Sequence, residues 1–220
     1  MKRTKTPTSR ARPPASPRAN QRHRTRKDLL SAASRLLKEG DGRTPTMDDV
    51  AEAAMVSRAT AYRYFPTVEA LLVEAPIDGE VPEPAAIFAD DDSTHPVERL
   101  DRAEAMLHDM SYRNETQLRL MLAASLDRAV KRAQNGDDGE VPLRQNRRTA
   151  LIESALAPAR RRFTDSAYRK LCASLALVFG TESMIVFKDV LGLEEKKARR
   201  TKSWAIRALV EAALNESQRR

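Results

Sequence analysis

The chain has 220 residues, of which 41% are hydrophobic, 32% charged and 5% aromatic, with seven glycines and one cysteine. This composition predicts one large or two small globular domains, mostly helical, and excludes a solenoid and a glycine-rich β-sandwich. The lone Cys172 excludes an internal disulfide and a cysteine zinc cluster, and no apolar run is long enough for a membrane span, so we expect a cytoplasmic protein.

The net charge of +8 is distributed unevenly along the chain. Residues 1–23 carry seven Lys and Arg and no acid, 24–75 are neutral, 76–97 carry six acids and no Lys or Arg, and 98–220 carry +7. The first block lacks large apolar residues, so we expect a disordered basic arm over 1–23. The third block is rich in proline, which predicts an acidic linker over 76–97.

Residues 24–75 begin with the pattern of an amphipathic helix. Leu30, Ala33 and Leu37 recur at helical spacing, and Gly40 is placed to end this helix. A second helix is predicted to start at Thr46, which can form a capping box with Asp49.

Two further helices follow at short intervals. Ser57 is a suitable N-cap for a third helix, which must leave the second over a turn of about three or four residues. Pro66 ends this helix, and Thr67 can cap a fourth. This is helix-turn-helix spacing, and it predicts a compact helical domain over 24–75.

The third helix has the composition of a helix that binds DNA. Ala61 and Phe65 lie four residues apart and are expected to face inward with Val56. The side chains left for the outer side are Arg58, Ala59, Thr60, Tyr62, Arg63 and Tyr64. In the major groove Arg can pair with guanine, Thr can hydrogen-bond to bases and Tyr hydroxyls can reach phosphates. The alternative is a short surface helix whose Arg and Tyr are only solvated.

The stretch TMDDVAEAAMVSRATAYRYFPTVEALL, starting at Thr46, resembles the DNA-binding signature of the TetR family of transcriptional regulators. The resemblance spans about fifty residues, from Arg24 to Ala75. It implies that Thr46 contacts a phosphate, that residues 57–60 begin the recognition helix and that the aromatic and basic residues after them meet bases and backbone. The implied DNA contacts are Thr46, Ser57, Arg58, Ala59, Thr60, Tyr62, Arg63 and Tyr64.

Two residues depart from the family pattern. Met55 stands where the family usually has glycine in the turn, a replacement that is tolerable if its φ stays negative. Val68 stands where a lysine usually contacts a phosphate, and the basic arm is a candidate to replace that contact.

Residues 98–220 resemble the family only in helical pattern and length. The resemblance implies that the last two helices pair with their copies in a dimeric four-helix bundle and that the middle helices enclose an effector pocket. Ala173, Ala176, Ala205, Ala208 and Ala212 suit close helix packing, although alanine is also simply a good helix former. The predicted helices run through Leu100, Ala103, Leu107 and Met110, through Leu118, Leu122, Leu126 and Ala129, from Leu143 to Ala157 before Pro158, from Thr164 to Val190, and from Glu194 to Leu214.

Large, adaptable side chains on the middle helices are the candidates for the effector pocket. They are Met106, Met110, Tyr112 and Met121, with Phe179 behind them. Methionine adapts to varied ligands, so this cluster suits an apolar effector. Ordinary core packing is the alternative for each of them.

Catalytic motifs are absent from the sequence. It has no glycine-rich phosphate loop or metalloprotease motif, and His23, His95 and His108 are not at metal-ligand spacing. We therefore predict no enzyme activity, no cofactor and no metal.

The sequence as a whole predicts an all-α protein, with an N-terminal three-helix helix-turn-helix domain and a C-terminal helical domain for effector binding and dimerisation over 98–220. Its expected function is that of a homodimeric repressor that binds a palindromic operator in double-stranded DNA and is released by a small molecule. We expect no membrane among its partners. The alternative is a helical adaptor that binds a partner or an anionic membrane through its basic arm.

Overall fold

The computed structural model describes residues 17–39, 43–81, 83–135 and 146–219, and the regular elements within them are all helical. The all-α prediction is confirmed. The α-helices are α1 (Pro17–Glu39), α2 (Met47–Ala53), α3 (Arg58–Tyr64), α4 (Val68–Asp78), α5 (Pro84–Ile87), α6 (Pro96–Arg113), α7 (Glu115–Asn135), α8 (Arg147–Leu156), α9 (Asp165–Val178), α10 (Thr181–Ile185) and α11 (Glu195–Gln218). A 3-10 turn over Ala157–Arg162 follows α8, and a π-helical turn over Val186–Val190 follows α10.

The starts of α2, α3 and α4 are set by local hydrogen bonds. Thr46 and Asp49 form the predicted capping box at the start of α2. The Ser57 and Thr67 side chains accept hydrogen bonds from backbone amides of the first turns of α3 and α4. Each cap satisfies an amide that has no partner within the helix, so these predicted boundaries are confirmed.

The first four helices enclose a small apolar core. α1 packs on α2 and α4, and α2 packs on α3. Leu29, Val50, Ala61, Phe65 and Leu71 are buried at the centre. Helix α3 is therefore held against the domain by one side only, which leaves its other side free for recognition.

A second core lies between α6, α8, α9 and α11. α11 packs on both α9 and α6, and α8 packs on α6 and α9. Leu100, Leu156, Leu175, Phe179 and Ile206 are fully buried there. Leu118 and the half-buried Leu122 continue the predicted stripe of α7, but Leu126 is exposed, because this part of α7 meets the N-terminal domain through Arg128 instead.

The predicted boundary of the basic arm is wrong on its C-terminal side. Helix α1 begins at Pro17 rather than Arg24, so residues 17–23 are helical. Proline is tolerated in a first helical turn, where its missing amide hydrogen has no partner to lose. Residues 1–16, and Gly40 as the end of the helix, lie outside the described residues.

The predicted linker over 76–97 is also corrected. Helix α4 continues through Pro76 to Asp78 and places Ile77 in the second core. Asp91, with its side chain only 4% exposed, pairs with Arg99 and Arg102. The acidic segment is therefore docked onto the C-terminal domain at Asp91, whose charge is neutralised by basic residues of α6.

The predicted end of a helix before Pro158 is confirmed, because α8 ends at Leu156 and Pro158 lies in the first turn of the 3-10 segment that follows. Residues 143–145 lie outside the described residues. Two other helix predictions in the C-terminal half differ from the structure. The single helix predicted from Thr164 to Val190 is broken at Gly180, whose φ is 97°. The last helix extends beyond Leu214 to Gln218.

No single helix among the described residues is long and apolar enough to span a membrane. One pair of helical segments among the described residues, Asp165–Val178 and Thr181–Val190, has the length and composition of a membrane span when the two are taken together. The pair is bent by 50°.

Candidate nucleic-acid interface and the adjoining cavity

The outer side of α3 is a polar, solvent-exposed face. Arg58, Ala59 and Arg63 are exposed, and Tyr62 is 40% exposed. At the N-terminus of the helix, the Ser57 and Thr60 hydroxyls lie 2.8 Å apart and form a hydrogen bond. The helix therefore presents basic, hydroxyl and planar groups of the kinds that bind base edges and phosphates.

Arg58 is oriented by two neighbours in the same domain. Its guanidinium lies 3.1 Å from Asp48 of α2 and 5.5 Å from the centre of the Tyr62 ring. Because both members of the ion pair are exposed, the pair is weak, and Arg58 can exchange Asp48 for an acceptor on DNA.

The position of Tyr64 differs from the sequence prediction. The prediction places Tyr64 on the outer side of α3, but the residue is only 3% exposed and packs in the N-terminal core. Tyr64 lies three residues after Ala61, and residues three apart share one side of a helix. Tyr64 therefore shares the inner side of α3 with Ala61 and Phe65.

The turn before α3 has an unusual backbone. Met55 has a φ of 54° rather than the negative value at which a non-glycine residue is tolerable, and its side chain is 92% exposed. The Val56 amide donates to the Ala51 carbonyl at 3.0 Å and closes the turn. The turn therefore takes the left-handed conformation that glycine supplies without strain, although a methionine occupies it.

Thr46, the residue implied to contact a phosphate, is exposed at the start of α2. Its backbone amide and hydroxyl both donate to Asp49 at 2.8 Å. These hydrogen bonds, the backbone one above all, lower the pKa of Asp49, and Arg43 adds to the effect. Thr46 is thus held in place at the edge of the α3 face.

The C-terminal end of α3 is bound by two arginines that sequence reasoning missed. Arg26 of α1 donates to the Tyr64 carbonyl at 3.3 Å, and Arg128 of α7 donates to the same oxygen at 3.4 Å. Arg26 also lies 4.2 Å from the centre of the Phe65 ring and 2.5 Å from Glu74. Cations at a helix C-terminus are favourable, so both domains stabilise this end of the helix. A signal for Arg26 existed in the sequence, because it lies one turn before Leu30.

A cavity of about 380 Å³ adjoins this end of α3. It lies between α4, α6 and α7, and Phe65, Val73, Ile77 and Leu107 contribute to its walls. The charged residues of its lining are Arg26, Glu69, Glu74, Arg128, Arg147 and Arg148. The volume falls in the range of small-molecule sites.

Two of the five predicted pocket residues, Met110 and Met121, line this cavity. Met106, Tyr112 and Phe179 lie outside it. Leu107, Met110 and Ser111 share the side of α6 that faces the cavity, and Tyr112 instead stacks on His108, with ring centroids 4.4 Å apart. Phe179 is fully buried in the C-terminal core.

A buried polar cluster lies between α6 and α11. Lys202 of α11, 1% exposed, donates to Glu104 at 2.8 Å and approaches Nδ1 of His108 at 3.3 Å. Burial raises the pKa of Glu104, and Lys202 partly opposes that rise. Burial, with Lys202 and Arg199, lowers the pKa of His108 to about 4. In the sequence, Glu104 and His108 continue the apolar stripe of Leu100, which was a signal that they are buried.

The fold and the exposed α3 face define a helix-turn-helix DNA-binding protein. Residues 29–75 match the family model described as bacterial regulatory proteins, tetR family. The N-terminal domain therefore belongs to the TetR family, and the chain is a DNA-binding transcriptional regulator. A search of curated proteins found no match to the chain.

Proposed function

We propose that the chain is a cytoplasmic repressor that binds a palindromic operator as a homodimer and is released by a small molecule. The observation that carries the proposal is the outer side of α3, where exposed Arg58, Tyr62 and Arg63 stand on a helix whose other side is buried. We assign base contacts to Arg58, Thr60 and Arg63, and backbone contacts to Thr46, Ser57 and Tyr62. Ala59 allows close approach to the groove.

An apolar strip on α9 and α11 supports the homodimer. Leu177 is 80% exposed and Trp204 is 70% exposed, although both are large apolar side chains. Exposed alanines lie one and two turns from them, at positions 173, 208 and 212. Helices α9 and α11 pack on each other, so the same strip on a second copy can complete a four-helix bundle. An isologous dimer of this kind reads an inverted repeat.

The cavity supports release by a small molecule. Its walls include Phe65, which follows the last residue of α3, and residues of α4 and α7. A molecule bound there contacts both the N-terminal domain and the C-terminal helices. Its affinity can therefore depend on how α3 is placed, which is the requirement for coupling to DNA.

The DNA-binding role is tested by selecting bound sequences from random DNA with the purified full chain. We expect an inverted repeat to be enriched. Arg63→Ala should weaken binding to the selected site by about 1–3 kcal/mol and relax specificity at one base position. Arg113→Ala, a change of an exposed arginine at the end of α6, is the matched control and should have no effect. Failure to enrich any sequence would contradict the proposal and favour the adaptor alternative.

The homodimer is tested through the only tryptophan of the chain, Trp204. Its emission should shift to shorter wavelength as protein concentration rises, because the partner copy would bury it. Leu177→Arg should give a monomer in sedimentation experiments and weaken operator binding. Leu126→Arg, which changes a leucine that is 58% exposed on α7, should leave the dimer intact. Emission independent of concentration together with a monomeric wild type would refute the dimer.

A further inference from the structure

The first turn of α2 carries two acidic residues, and each of them is paired with an arginine. Asp48 lies 3.1 Å from Arg58, the first residue of α3, and Asp49 accepts a hydrogen bond from Arg43 at 2.9 Å. Arg43 precedes α2 in the chain. Because the two acids are consecutive, Arg43 extends the charged surface that begins with Arg58 on the outer side of α3.

Arg43 is the outer member of its ion pair. Its side chain is 75% exposed, whereas that of Asp49 is 31% exposed. The hydrogen bond to Asp49 uses one N–H of a guanidinium group that has five. Arg43 can therefore stay beside Asp49 and donate to a second acidic group that approaches from solvent.

Thr46, a neighbour at the same edge, is engaged in the capping box. Its hydroxyl donates to the Asp49 carboxylate at 2.8 Å and accepts from the Asp49 backbone amide at 3.3 Å. A hydroxyl has a single hydrogen, so Thr46 can donate to a phosphate only by releasing that carboxylate. Thr46 is also uncharged, so it cannot neutralise a phosphate at this edge.

The charge of the whole N-terminal domain makes a cation at this edge important for binding DNA. Residues 24–75 have no net charge, and Val68, at the start of α4, is apolar. In helix-turn-helix proteins the first helix of the motif crosses the DNA backbone while the second lies in the major groove. Helix α2 is that first helix, so a cation at its start is placed beside the backbone when α3 lies in the groove.

We propose that Arg43 binds a phosphate of the DNA backbone beside the start of α2. The proposal deepens the proposed function and rests on it for the face of α3 that meets DNA. A phosphate is a charged acceptor, and its hydrogen bonds with a guanidinium are of the strong, charge-assisted kind. Such a contact adds affinity for DNA of any sequence and fixes the register of α3 without reading a base.

The first test is the salt dependence of DNA binding by the full chain. Arg43→Gln should flatten the slope of log K against log salt by about 0.9 for each copy bound, and weaken binding at 0.1 M salt by on the order of tenfold per copy. Arg43→Lys keeps the charge and should keep most of the slope, since lysine also binds phosphate. Arg113→Gln changes an exposed arginine at the end of α6 and is the matched control. An unchanged slope in Arg43→Gln would overturn the proposal.

A second comparison separates the phosphate contact from a role of Arg43 in holding the cap of α2. Asp49→Asn removes the same ion pair but leaves Arg43 in place, so its salt slope should be at least as steep as that of wild type. Circular dichroism and thermal unfolding of Arg43→Gln should match wild type, because an exposed ion pair contributes little to stability. Equal flattening of the slope by Asp49→Asn and Arg43→Gln would overturn the phosphate contact, and Arg43→Lys remains decisive if the Asp49 variant does not fold.

Selected and scrambled DNA separate this inference from the proposed function. Arg43→Gln should weaken binding to both by the same factor, whereas Arg63→Ala should weaken mainly the selected site. A loss confined to the selected site would overturn the phosphate contact and leave the proposed function intact. If selection enriches no sequence, the proposed function fails, while a slope on random DNA that is flattened by Arg43→Gln would still support the contact.

Discussion

At the scale of single residues, the backbone of Met55 is the clearest departure from an unstrained helix-turn-helix. A non-glycine residue at a φ of 54° places its Cβ close to the following carbonyl oxygen. Because the side chain is 92% exposed, few contacts depend on its chemical nature.

We expect Met55→Gly to raise the free energy of unfolding by roughly 0.5–1 kcal/mol, since relief of strain outweighs the added chain entropy of glycine in the unfolded state. Urea unfolding followed by circular dichroism measures the change. Met55→Ala keeps the strain and should differ little from wild type. A glycine variant less stable than the alanine variant would show that the turn is not strained.

His108 predicts an acid sensitivity of the C-terminal domain. Its pKa is about 4 in the folded chain against an ordinary 6.5, so the unfolded chain binds the proton first as the pH falls. Stability should therefore fall as the pH is lowered between these values, by at most about 3 kcal/mol from this group. The neighbouring carboxylates Glu104 and Glu195 lie 3.9 and 3.6 Å from its ring nitrogens. The raised pKa of Glu104 has the opposite effect on stability over part of this range, because the folded chain binds that proton before the unfolded chain does.

The variant His108→Phe isolates this contribution, since its ring can still stack on Tyr112. The stability of wild type relative to the variant should decline from about pH 7 to about pH 4.5. His95→Asn, a change of an exposed histidine, should follow the wild-type curve. Parallel curves for wild type and His108→Phe would show that His108 titrates normally.

At the scale of elements, the break between α9 and α10 depends on Gly180. Its φ of 97° and ψ of −168° belong to a region that essentially only glycine occupies. A Cβ there would also lie 3.3 Å from the Arg148 guanidinium. The break turns the chain from the C-terminal core towards the cavity.

Gly180→Ala should lower the free energy of unfolding by about 1–3 kcal/mol because it strains the backbone and displaces Arg148 from Glu182. Thermal and urea unfolding would show the loss. Gly192→Ala is the control for strain alone, since Gly192 has a φ of 59° and open space around it. If the two variants were equally stable, the contact with Arg148 would have no role.

The elements also show what the sequence could predict. The caps at Thr46, Ser57 and Thr67 were correct because each depends on neighbours three residues away. The break at Gly180 was missed because glycine is tolerated within helices, and only tertiary packing selects its positive φ. Arg128 was missed for a similar reason, since an arginine on an amphipathic helix looks like part of a solvated face until its partner in another domain is known.

At the scale of the whole molecule, the N-terminal basic residues remain a predicted source of affinity for DNA. Residues 1–16 carry five Lys and Arg and no acid, while residues 24–75 are neutral overall. Val68 is partly buried against the N-terminal core, so it supplies no phosphate contact at the start of α4.

Deleting residues 1–16 should flatten the slope of log K against log salt by up to about 4 to 5, since each phosphate contact contributes roughly 0.9. The preferred operator sequence should not change, because α3 remains intact. Anisotropy titrations at several salt concentrations measure the slope. An unchanged slope would mean that these residues do not contact DNA.

Helix α4 also has a consequence for how the molecule unfolds. Leu71 and Ala75 belong to the first core and Ile77 to the second, so one continuous helix is shared by both. Melting either core removes a wall of the other, and the two halves cannot lose their structure independently. Unfolding should therefore be a single cooperative transition, in which amide protons of α1 and α9 exchange with solvent at similar free energies.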